Sequence, residues 1–260
     1  MKYTPKIQHA IRFAIKTHEG YQKQKRKGKD VPYIVHPITA GLILAAAGGK
    51  EELIIAGILH DTIEDSIEEK KVTKEMIVSR FGDNVYELVL SVTEQDKELS
   101  WEERKAEALE HIKTFSHDSL LLKSADVIAN NMELIDDYSK YGEKTFERFN
   151  APKEKTIPHT LKVINAIIEH WSESPLAPEL LYIAKELMTI NQGNFMSQSP
   201  AKIISYSNYN EDMPLECPAC NWKGTPKSSG WINTDSHYCL DVSCPICEKM
   251  LLIAEYPLIN

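Results

Sequence analysis

The sequence predicts a mostly α-helical protein, in which a helical bundle is followed by a small β-rich module that bears cysteines. Three observations support this fold class. Apolar residues recur at helical spacing over the first 170 positions, whereas strand signals are almost absent before residue 200. All five cysteines lie at or beyond Cys217. The apolar tail from Met250 to Tyr256 is typical of a strand.

The helices follow one another with recognisable starts and stops. Pro37 stands in the first turn of a helix that ends at Gly48-Gly49, and Thr73 suits the N-cap of another. The remaining helices are predicted over 6–19, 51–64, 73–81, 83–92, 101–115, 117–137, 154–171 and 179–191. We therefore expect a first domain over residues 1–172, a helix with a polar linker over 173–213, and a cysteine-bearing module over 214–260.

Composition and charge limit the possible classes of function. A chain of 260 residues with 42% hydrophobic content can bury one substantial core and a small extra domain. No signal peptide begins the sequence, and its most apolar stretch, 38–59, is too interrupted to span a bilayer, so we expect a cytoplasmic protein. The net charge is −8, yet the first 30 residues hold nine Lys/Arg and two acids. One basic corner on an acidic chain favours a small anionic ligand over nucleic acid.

A histidine and three carboxylates follow the apolar helix 53–59 within six residues, in the stretch His60-Asp61-Thr62-Ile63-Glu64-Asp65. Such groups at the edge of a core need a compensating partner. Taken alone, His60-Asp61 is explained by a helix terminus with a satisfied histidine. His36, at the entrance of the preceding helix, and Asp126, after an apolar run, extend the set to two imidazoles and two carboxylates. This mixed set suits Mn²⁺ or Fe²⁺ with open positions for water and substrate.

The order of these four residues resembles the ligand set of the HD metal-dependent phosphohydrolase superfamily. Shorter sequence words are similar to the hydrolase domain of the RelA/SpoT alarmone family, above all to its small stand-alone hydrolases: His18-Glu19-Gly20, Arg26-Lys27-Gly28, Pro32-Tyr33-Ile34-Val35-His36-Pro37, Leu59 to Asp65, Phe81-Gly82 and Val92-Thr93. The resemblance covers about the first 170 residues. It implies an HD-type helical bundle that binds Mn²⁺ and removes the 3′-pyrophosphate from guanosine tetra- or pentaphosphate.

Glu64 and Asp65 form a second carboxylate pair next to the expected metal ligands. Because helical residues four apart share a face, Glu64 should lie beside His60 and Asp65 beside Asp61. A group at this position can orient or deprotonate the attacking water. The resemblance assigns this Glu-Asp pair to catalysis. The alternative is a chance pair of exposed acids at a helix C-terminus, where they would oppose the helix dipole.

Basic residues are expected on the phosphate side of the site. The loop 23–29 holds five bases, and the resemblance places Arg26 and Lys27 near the substrate phosphates, where a guanidinium can bind a phosphate bidentately. The resemblance also places the pair Arg104-Lys105 near the site, although surface charge bridged to a neighbouring glutamate explains the pair equally well. Asn130 resembles the asparagine of the family that contacts the nucleotide. The chain departs from the family at Met132 and Glu133, where arginine and threonine are frequent.

The C-terminal cysteines predict a structural zinc site. Cys217, Cys220, Cys244 and Cys247 form two CxxC pairs at zinc-ribbon spacing, and four thiolates would close a tetrahedral shell around Zn²⁺. Cys239 and His237 are spare, and replacement of one knuckle cysteine by either of them stays open. Residues 214–260 hold three Lys and five acids, so we expect Trp222, Trp231 and Tyr238 to pack the module or contact a protein rather than nucleic acid.

Three functions remain in competition. The first is hydrolysis of a phosphorylated nucleotide, with the alarmone as substrate. The second is the same chemistry on another nucleotide or on a pyrophosphorylated RNA end. The third is an HD domain that senses a ligand or docks a protein without catalysis, against which the intact His60-Asp61 and Glu64-Asp65 pairs argue.

Overall fold

The computed structural model describes residues 2–94, 99–191, 202–218, 220–229, 232–233, 239–246 and 250–256. Its helices are α1 (Pro5–Ile15), α2 (Val35–Ala46), α3 (Glu51–Leu59), α4 (Thr62–Asp65), α5 (Lys74–Phe81), α6 (Asp83–Val92), α7 (Trp101–Ile112), α8 (His117–Tyr141), α9 (Lys153–His170), α10 (Ala177–Asn191) and α11 (Pro226–Ser229). Its strands are β1 (Lys202–Ser205), β2 (Leu215–Glu216), β3 (Lys223–Gly224), β4 (Ile232–Asn233), β5 (Cys239–Ser243) and β6 (Met250–Glu255). The mostly helical fold class with a small C-terminal sheet is confirmed.

The chain divides into two compact units, one of residues 1–133 with 148–187 and one of 134–147 with 188–260. In the first unit, α3 is the central helix and packs against α1, α2 and α6. Every residue of α3 from Leu53 to Leu59 is buried, which explains why this helix is apolar on all sides. The close packing of α2 and α3 brings together the two elements that carry the expected histidine ligands.

The helix predicted over residues 51–64 is interrupted. Helix α3 ends at Leu59, His60 and Asp61 form a turn, and α4 resumes at Thr62. The side chains of two buried residues bond locally here, because Thr62 Oγ1 donates to the Leu59 carbonyl at 2.7 Å and His60 Nδ1 donates to that of Gly57 at 2.8 Å. The prediction of one continuous helix was therefore wrong. The turn directs the side chains of both His60 and Asp61 toward the candidate active site.

A π-helical segment, Lys16–Gln22, extends α1 into the basic loop. It ends at Lys23, which has a positive φ of 50°. Short π-helical segments often accommodate extra residues near functional sites. The loop that follows returns to the core through a bridge between Lys25 and Pro32, and this bridge holds Arg26 beside the site.

In the second unit, four strands form a sheet in the order β1-β6-β5-β4, and β2 pairs with β3 in a separate ladder. The pairing of β1 with β6 is parallel, whereas β5 is antiparallel to both of its neighbours. Strand β1 lies inside the segment interpreted from sequence as a polar linker. Its four residues carry only two isoleucines among polar neighbours, a pattern too short to predict a strand.

The core of the second unit includes two of the expected zinc ligands, Cys217 and Cys244, together with Leu215, Leu240, Val242, Leu251, Leu252 and Ala254. Among the described residues, no helix is both long enough and apolar enough to cross a membrane.

Candidate active site

Four side chains converge where α2, the turn after α3, and α8 meet. The Nε2 atoms of His36 and His60 are 3.2 Å apart, and Asp61 Oδ2 lies 3.1 Å from His60 Nε2 and 3.5 Å from His36 Nε2. Asp126 Oδ1 completes the set at 3.4 Å from His36 Nε2 and 3.9 Å from His60 Nε2. The structure thus brings together the two imidazoles and two carboxylates that the sequence predicted as metal ligands.

The donor set fits a divalent cation. Ligand atoms around an octahedral ion at about 2.1 Å are separated by roughly 3 Å. The donor atoms of His36, His60 and Asp126 all lie within 4.8 Å of one another, and Asp61 Oδ2 lies near the two imidazoles. Because the Gly57 carbonyl accepts the Nδ1 hydrogen of His60, the neutral ring presents a lone pair at Nε2 toward the other three donors. Both histidines are buried, whereas Asp61 and Asp126 are partly exposed, so the set opens toward solvent on the carboxylate side.

The electrostatics of the four groups are coupled. Burial alone would lower the pKa of His60, but Asp61 and Asp126 outweigh this effect and raise the pKa to about 9. Burial would raise the pKa of Asp126, but Lys123 and the two histidines hold that pKa well below its usual range. Burial would likewise raise the pKa of Asp61, but His60 and His36 lower that pKa, so both carboxylates are ionised. A cation bound by them would displace the proton of His60, which would couple binding to pH.

Each carboxylate of the candidate metal site is oriented by neighbouring side chains, of which sequence reasoning singled out Asn130, as a nucleotide contact, but gave no role to Tyr33 or Lys123. Tyr33 donates its hydroxyl hydrogen to Asp61 Oδ2 at 2.6 Å. Lys123 donates to Asp126 Oδ2 at 2.8 Å, and Asn130 donates to Asp126 Oδ1 at 2.7 Å. Such contacts set ligand orientation in metal sites. The spacing of Lys123 three residues before Asp126 on one helix was the available signal for that ion pair.

The pair Glu64-Asp65 lies in α4, one turn beyond the ligand turn, where the backbone N–H of Asp65 bonds the carbonyl of Asp61 at 2.9 Å. Glu64 Oε2 accepts the backbone N–H of Glu94 at 3.4 Å. Asp65 Oδ2 accepts from the side-chain amide of Gln24 at 3.1 Å. Both carboxylates therefore accept hydrogen bonds from residues outside α4. Neither belongs to the four converging side chains of the candidate metal site.

A buried histidine supports this arrangement. His18 Nδ1 donates to Gln24 Oε1 at 3.3 Å, and the His18 ring lies 5.1 Å from the ring of Tyr33. Burial lowers the pKa of His18, so its ring is neutral at pH 7. The ring thus reaches both carboxylates indirectly, Asp65 through Gln24 and Asp61 through Tyr33.

Two of the predicted phosphate-binding residues meet protein groups. The Arg26 guanidinium donates to Glu133 and to Asn130, and it lies 5.5 Å from the centre of the Tyr33 ring. Lys27 is exposed to solvent. Arg26 and Asn130, more than 100 residues apart in sequence, are thus brought to the same side of the metal-ligand cluster.

Arg104 and Lys105 form the second basic flank. Both pair with Glu94, Arg104 at 2.7 Å, rather than with Glu102 or Glu103 as the surface-charge interpretation required. They line a cavity of about 330 Å³ together with Lys123, His159, Glu94, Ser91, Val92, Thr93, Glu107, Ala108, His111, Ile112, Phe115 and Val163. Because Lys123 also binds Asp126, the cavity adjoins the metal-ligand cluster.

The C-terminal thiols also cluster. Cys217, Cys220 and Cys244 place their sulfurs within 4.8 Å of one another, with 3.5 Å between Cys220 and Cys244. The turn after Cys217 is closed by the N–H of Asn221, which has a φ of 59°, bonding the Cys217 carbonyl. Cys247, His237, Trp231 and Tyr238 lie outside the described residues. Cys239 donates its thiol hydrogen to Asp241 at 3.4 Å, and Trp222 packs against the core of the module.

Comparison with known proteins shows the family of the helical part of the chain. A family model described as HD domain matches residues 10–148. The chain is 34% identical over 187 residues to the guanosine-3′,5′-bis(diphosphate) 3′-pyrophosphohydrolase of Aquifex aeolicus, a match that covers 68% of this chain and 25% of that protein. It is 35% identical over 133 residues to the guanosine-3′,5′-bis(diphosphate) 3′-pyrophosphohydrolase MESH1 of Danio rerio, covering 50% of this chain and 70% of that protein.

Two solved structures share the fold. The crystal structure of lmo0812 from Listeria monocytogenes superposes with a TM-score of 0.54 at 32% identity, covering 60% of this chain and 99% of that one. The structure of a metazoan ortholog of SpoT superposes with a TM-score of 0.58 at 23% identity, covering 72% of this chain and 97% of that one. The matched region includes all four converging side chains, and the chain belongs to the HD-domain family, among the homologues of the guanosine-3′,5′-bis(diphosphate) 3′-pyrophosphohydrolases.

Proposed function

We propose that this chain is a metal-dependent pyrophosphohydrolase that removes the 3′-pyrophosphate from guanosine tetra- or pentaphosphate. The observation that carries the proposal is the convergence of His36, His60, Asp61 and Asp126 next to the pair Glu64-Asp65. Relatives that are named for this activity are 34% identical to the chain over 187 residues and 35% identical over 133 residues. Substrate is expected at the open, carboxylate side of the cluster, between its two basic flanks.

In this proposal the four ligands hold Mn²⁺, with Fe²⁺ as the alternative, because a mixed imidazole and carboxylate set suits these ions. A cation held there would supply Lewis-acid polarisation of a phosphoryl oxygen and of the attacking water. Tyr33, Lys123 and Asn130 hold the two carboxylates in place, which reduces the cost of organising the site during binding. Lys123 also offsets the negative charge of Asp126 next to an anionic substrate.

Glu64 accepts a proton from the attacking water, and Asp65, held by Gln24, orients that water. Water adds to the phosphorus of the 3′-ester, the bond from that phosphorus to the ribose oxygen breaks, and the ribose oxygen takes up a proton. The products are pyrophosphate and a nucleoside 5′-di- or triphosphate with a free 3′-hydroxyl. Arg26 and Lys27 on one side, and Arg104 and Lys105 on the other, offset the phosphate charge.

The cysteines of the second unit would hold a structural Zn²⁺, with Cys247 as the fourth ligand, because thiolate sets favour zinc. Reduced thiolates require a reducing compartment, which favours the cytoplasm as the place of action. The acidic balance of this module argues against nucleic acid, and a protein is the partner that we expect it to contact.

A product screen tests the proposed function. The purified chain with Mn²⁺ is offered ppGpp, pppGpp and ordinary nucleotides, and we expect pyrophosphate and GDP or GTP from the first two alone. Asp61→Ala should abolish release, and Glu64→Ala should retain the metal but lose turnover. The exposed acid variant Glu69→Ala serves as the matched control. Turnover of ordinary nucleotides without the alarmones would identify another substrate, and no turnover with metal bound would favour a sensor.

A further inference from the structure

Glu133, in α8, binds two cations of the basic loop that precedes α2. Its Oε2 accepts a hydrogen bond from Arg26 Nε at 2.8 Å and forms an ion pair with Arg26 Nη2 at 2.7 Å, so one carboxylate oxygen faces both nitrogens of this guanidinium edge. Its Oε1 accepts from Lys29 Nζ at 2.7 Å. Although Glu133 lies more than 100 residues away from these bases in sequence, it acts as their common counter-ion.

The contact with Glu133 determines which N–H donors of Arg26 remain for a ligand. A guanidinium has five N–H donors. The N–H of Nε donates to Glu133, and Nη2 donates to Asn130 Oδ1 at 2.8 Å while it pairs electrostatically with Glu133. Nη1 makes no hydrogen bond among the described residues, so its two hydrogens remain. Both bidentate edges of the guanidinium are thus partly occupied, and a phosphate meets a single nitrogen there.

The same carboxylate lies in a network that reaches the metal ligands. Arg26 contacts Asn130, which donates to Asp126, and Arg26 also lies against the Tyr33 ring, whose hydroxyl donates to Asp61. The Arg26 side chain is 13% exposed and that of Glu133 is 27% exposed. Glu133 therefore faces the rim of the active site rather than bulk solvent.

The charge of Glu133 is retained at neutral pH. Burial raises the pKa of its carboxyl group, but the hydrogen bonds from Arg26 and Lys29 more than offset this and lower the pKa below its usual value. Pairing with Glu133 offsets one of the two positive charges that Arg26 and Lys29 carry. A phosphate that binds beside Arg26 is attracted more weakly and lies near a like charge.

We propose that Glu133 is a specificity-determining residue, which limits how many phosphate groups the substrate carries on the Arg26 side of the site. This inference rests on the proposed function, and it specifies its substrate as ppGpp in preference to pppGpp, which has one more 5′-phosphate. In this inference the 5′-phosphates lie on the Arg26 side, so the extra phosphate of pppGpp adds negative charge next to Glu133. Glu133, which stands where threonine is frequent in the family, thus has a physical role in this inference.

Substitution Glu133→Gln tests the inference, because glutamine keeps the shape and the acceptor oxygen but removes the charge. The measured quantity is the ratio of kcat/KM for pppGpp to kcat/KM for ppGpp. We expect Glu133→Gln to raise this ratio about tenfold, mainly through KM, because electrostatic changes at a binding site act on substrate affinity. Asp136→Asn, which removes an acid of the same helix that pairs with Lys140, is the matched control and should leave the ratio unchanged.

Two further measurements, salt dependence and melting curves, distinguish an electrostatic role of Glu133 from a structural one. Since screening weakens the repulsion, the difference between wild type and Glu133→Gln should narrow as salt is raised. A purely structural role would lower kcat/KM for both substrates equally and show no such narrowing, and that result overturns the inference. Melting curves establish that the variant is folded, and Glu133→Asn provides a second neutral variant if Glu133→Gln is not.

Equilibrium binding separates this inference from the proposed function. The affinities of GDP and GTP are measured without turnover, and Glu133→Gln should favour GTP by a similar factor. A raised GTP preference with no alarmone hydrolysis would refute the proposed function and support the role of Glu133. Alarmone hydrolysis with an unchanged ratio, or failure of both nucleotides to bind, would refute the role of Glu133.

Discussion

Tyr33 donates its hydroxyl hydrogen to Asp61 Oδ2 at 2.6 Å, so a residue of the loop before α2 orients the carboxylate that follows α3 and that we propose as a metal ligand. Burial and the nearby carboxylates raise the pKa of Tyr33 far above its usual value, and the phenol therefore remains a donor at every physiological pH. The bond directs the second carboxylate oxygen of Asp61 and reduces its freedom.

Tyr33→Phe should lower the affinity for Mn²⁺ by about 10- to 100-fold, because contacts that orient metal ligands contribute at this level. Calorimetric titration of the metal-free protein with Mn²⁺ measures the effect. Tyr86→Phe, on α6 beside Lys74, is a matched control that removes a hydroxyl away from the ligands. Equal affinities in wild type and Tyr33→Phe would mean that Asp61 is oriented without this bond.

The contact between α2 and α3 depends on glycine. A Cβ at Gly57 would lie 2.5 Å from Leu44 Cδ1 and 3.3 Å from the Gly41 backbone, so Gly57→Ala requires the buried Leu44 side chain to shift where the helices that position His36 and His60 pack together. We expect a loss of about 1–3 kcal/mol in the free energy of unfolding, measured in urea, which is typical of overpacking. Gly20→Ala, whose Cβ would meet only Lys16 at 3.8 Å, should change stability by much less. Equal effects would show that helix packing at Gly57 is looser than described.

His159 should make the first unit less stable in mild acid. Burial, reinforced by Lys105, Lys123 and Lys162 and opposed by Glu94, lowers the pKa of His159 from 6.5 to about 4. Between these values the unfolded chain binds more protons than the native one, so the stability is present above pH 6.5 and lost as pH falls toward 4.

His159→Gln should therefore reduce the loss of stability between neutral pH and pH 4.5, by about 1 kcal/mol, since the ring is partly exposed and solvent screens its neighbours. Urea unfolding at the two pH values measures it. The exposed His170, at the end of the same helix, provides the control variant His170→Gln. If His159→Gln kept the acid sensitivity of the wild type, another group would be responsible.

Sequence periodicity located most helices because it reports neighbours three or four residues apart. It could not report the turn at His60-Asp61, where side chains bond backbone carbonyls of the preceding turn. Periodicity therefore predicted one helix where the structure has two. The convergence of the four ligands was predicted through the motif order. The contacts of Arg26 with Glu133 and of Arg104 with Glu94 were not predicted. These pairs are 107 and 10 residues apart in sequence, and no local sequence pattern links segments that only the tertiary structure brings together.

The thiol cluster offers a prediction that is independent of the hydrolase site. Cys217→Ser should release one Zn²⁺ per chain and destabilise the second unit, whose core includes this thiol, because modules of this size depend on metal to fold. Metal analysis and limited proteolysis measure the two effects, and pyrophosphate release should persist. Ser207→Ala, an exposed position of the same unit, is the control. Retention of zinc by Cys217→Ser would contradict the assigned ligands, and loss of hydrolysis would mean that the units are coupled.

The central claim is that His36, His60, Asp61 and Asp126 jointly bind one divalent cation. The most direct measurement is the number of Mn²⁺ ions bound per chain, by calorimetric titration of the wild type and of Asp61→Ala. We predict one site in the wild type and an affinity weakened by at least about 100-fold in Asp61→Ala, since a direct ligand outweighs the contacts that orient it. Equal stoichiometry and equal affinity in the two proteins would contradict the claim.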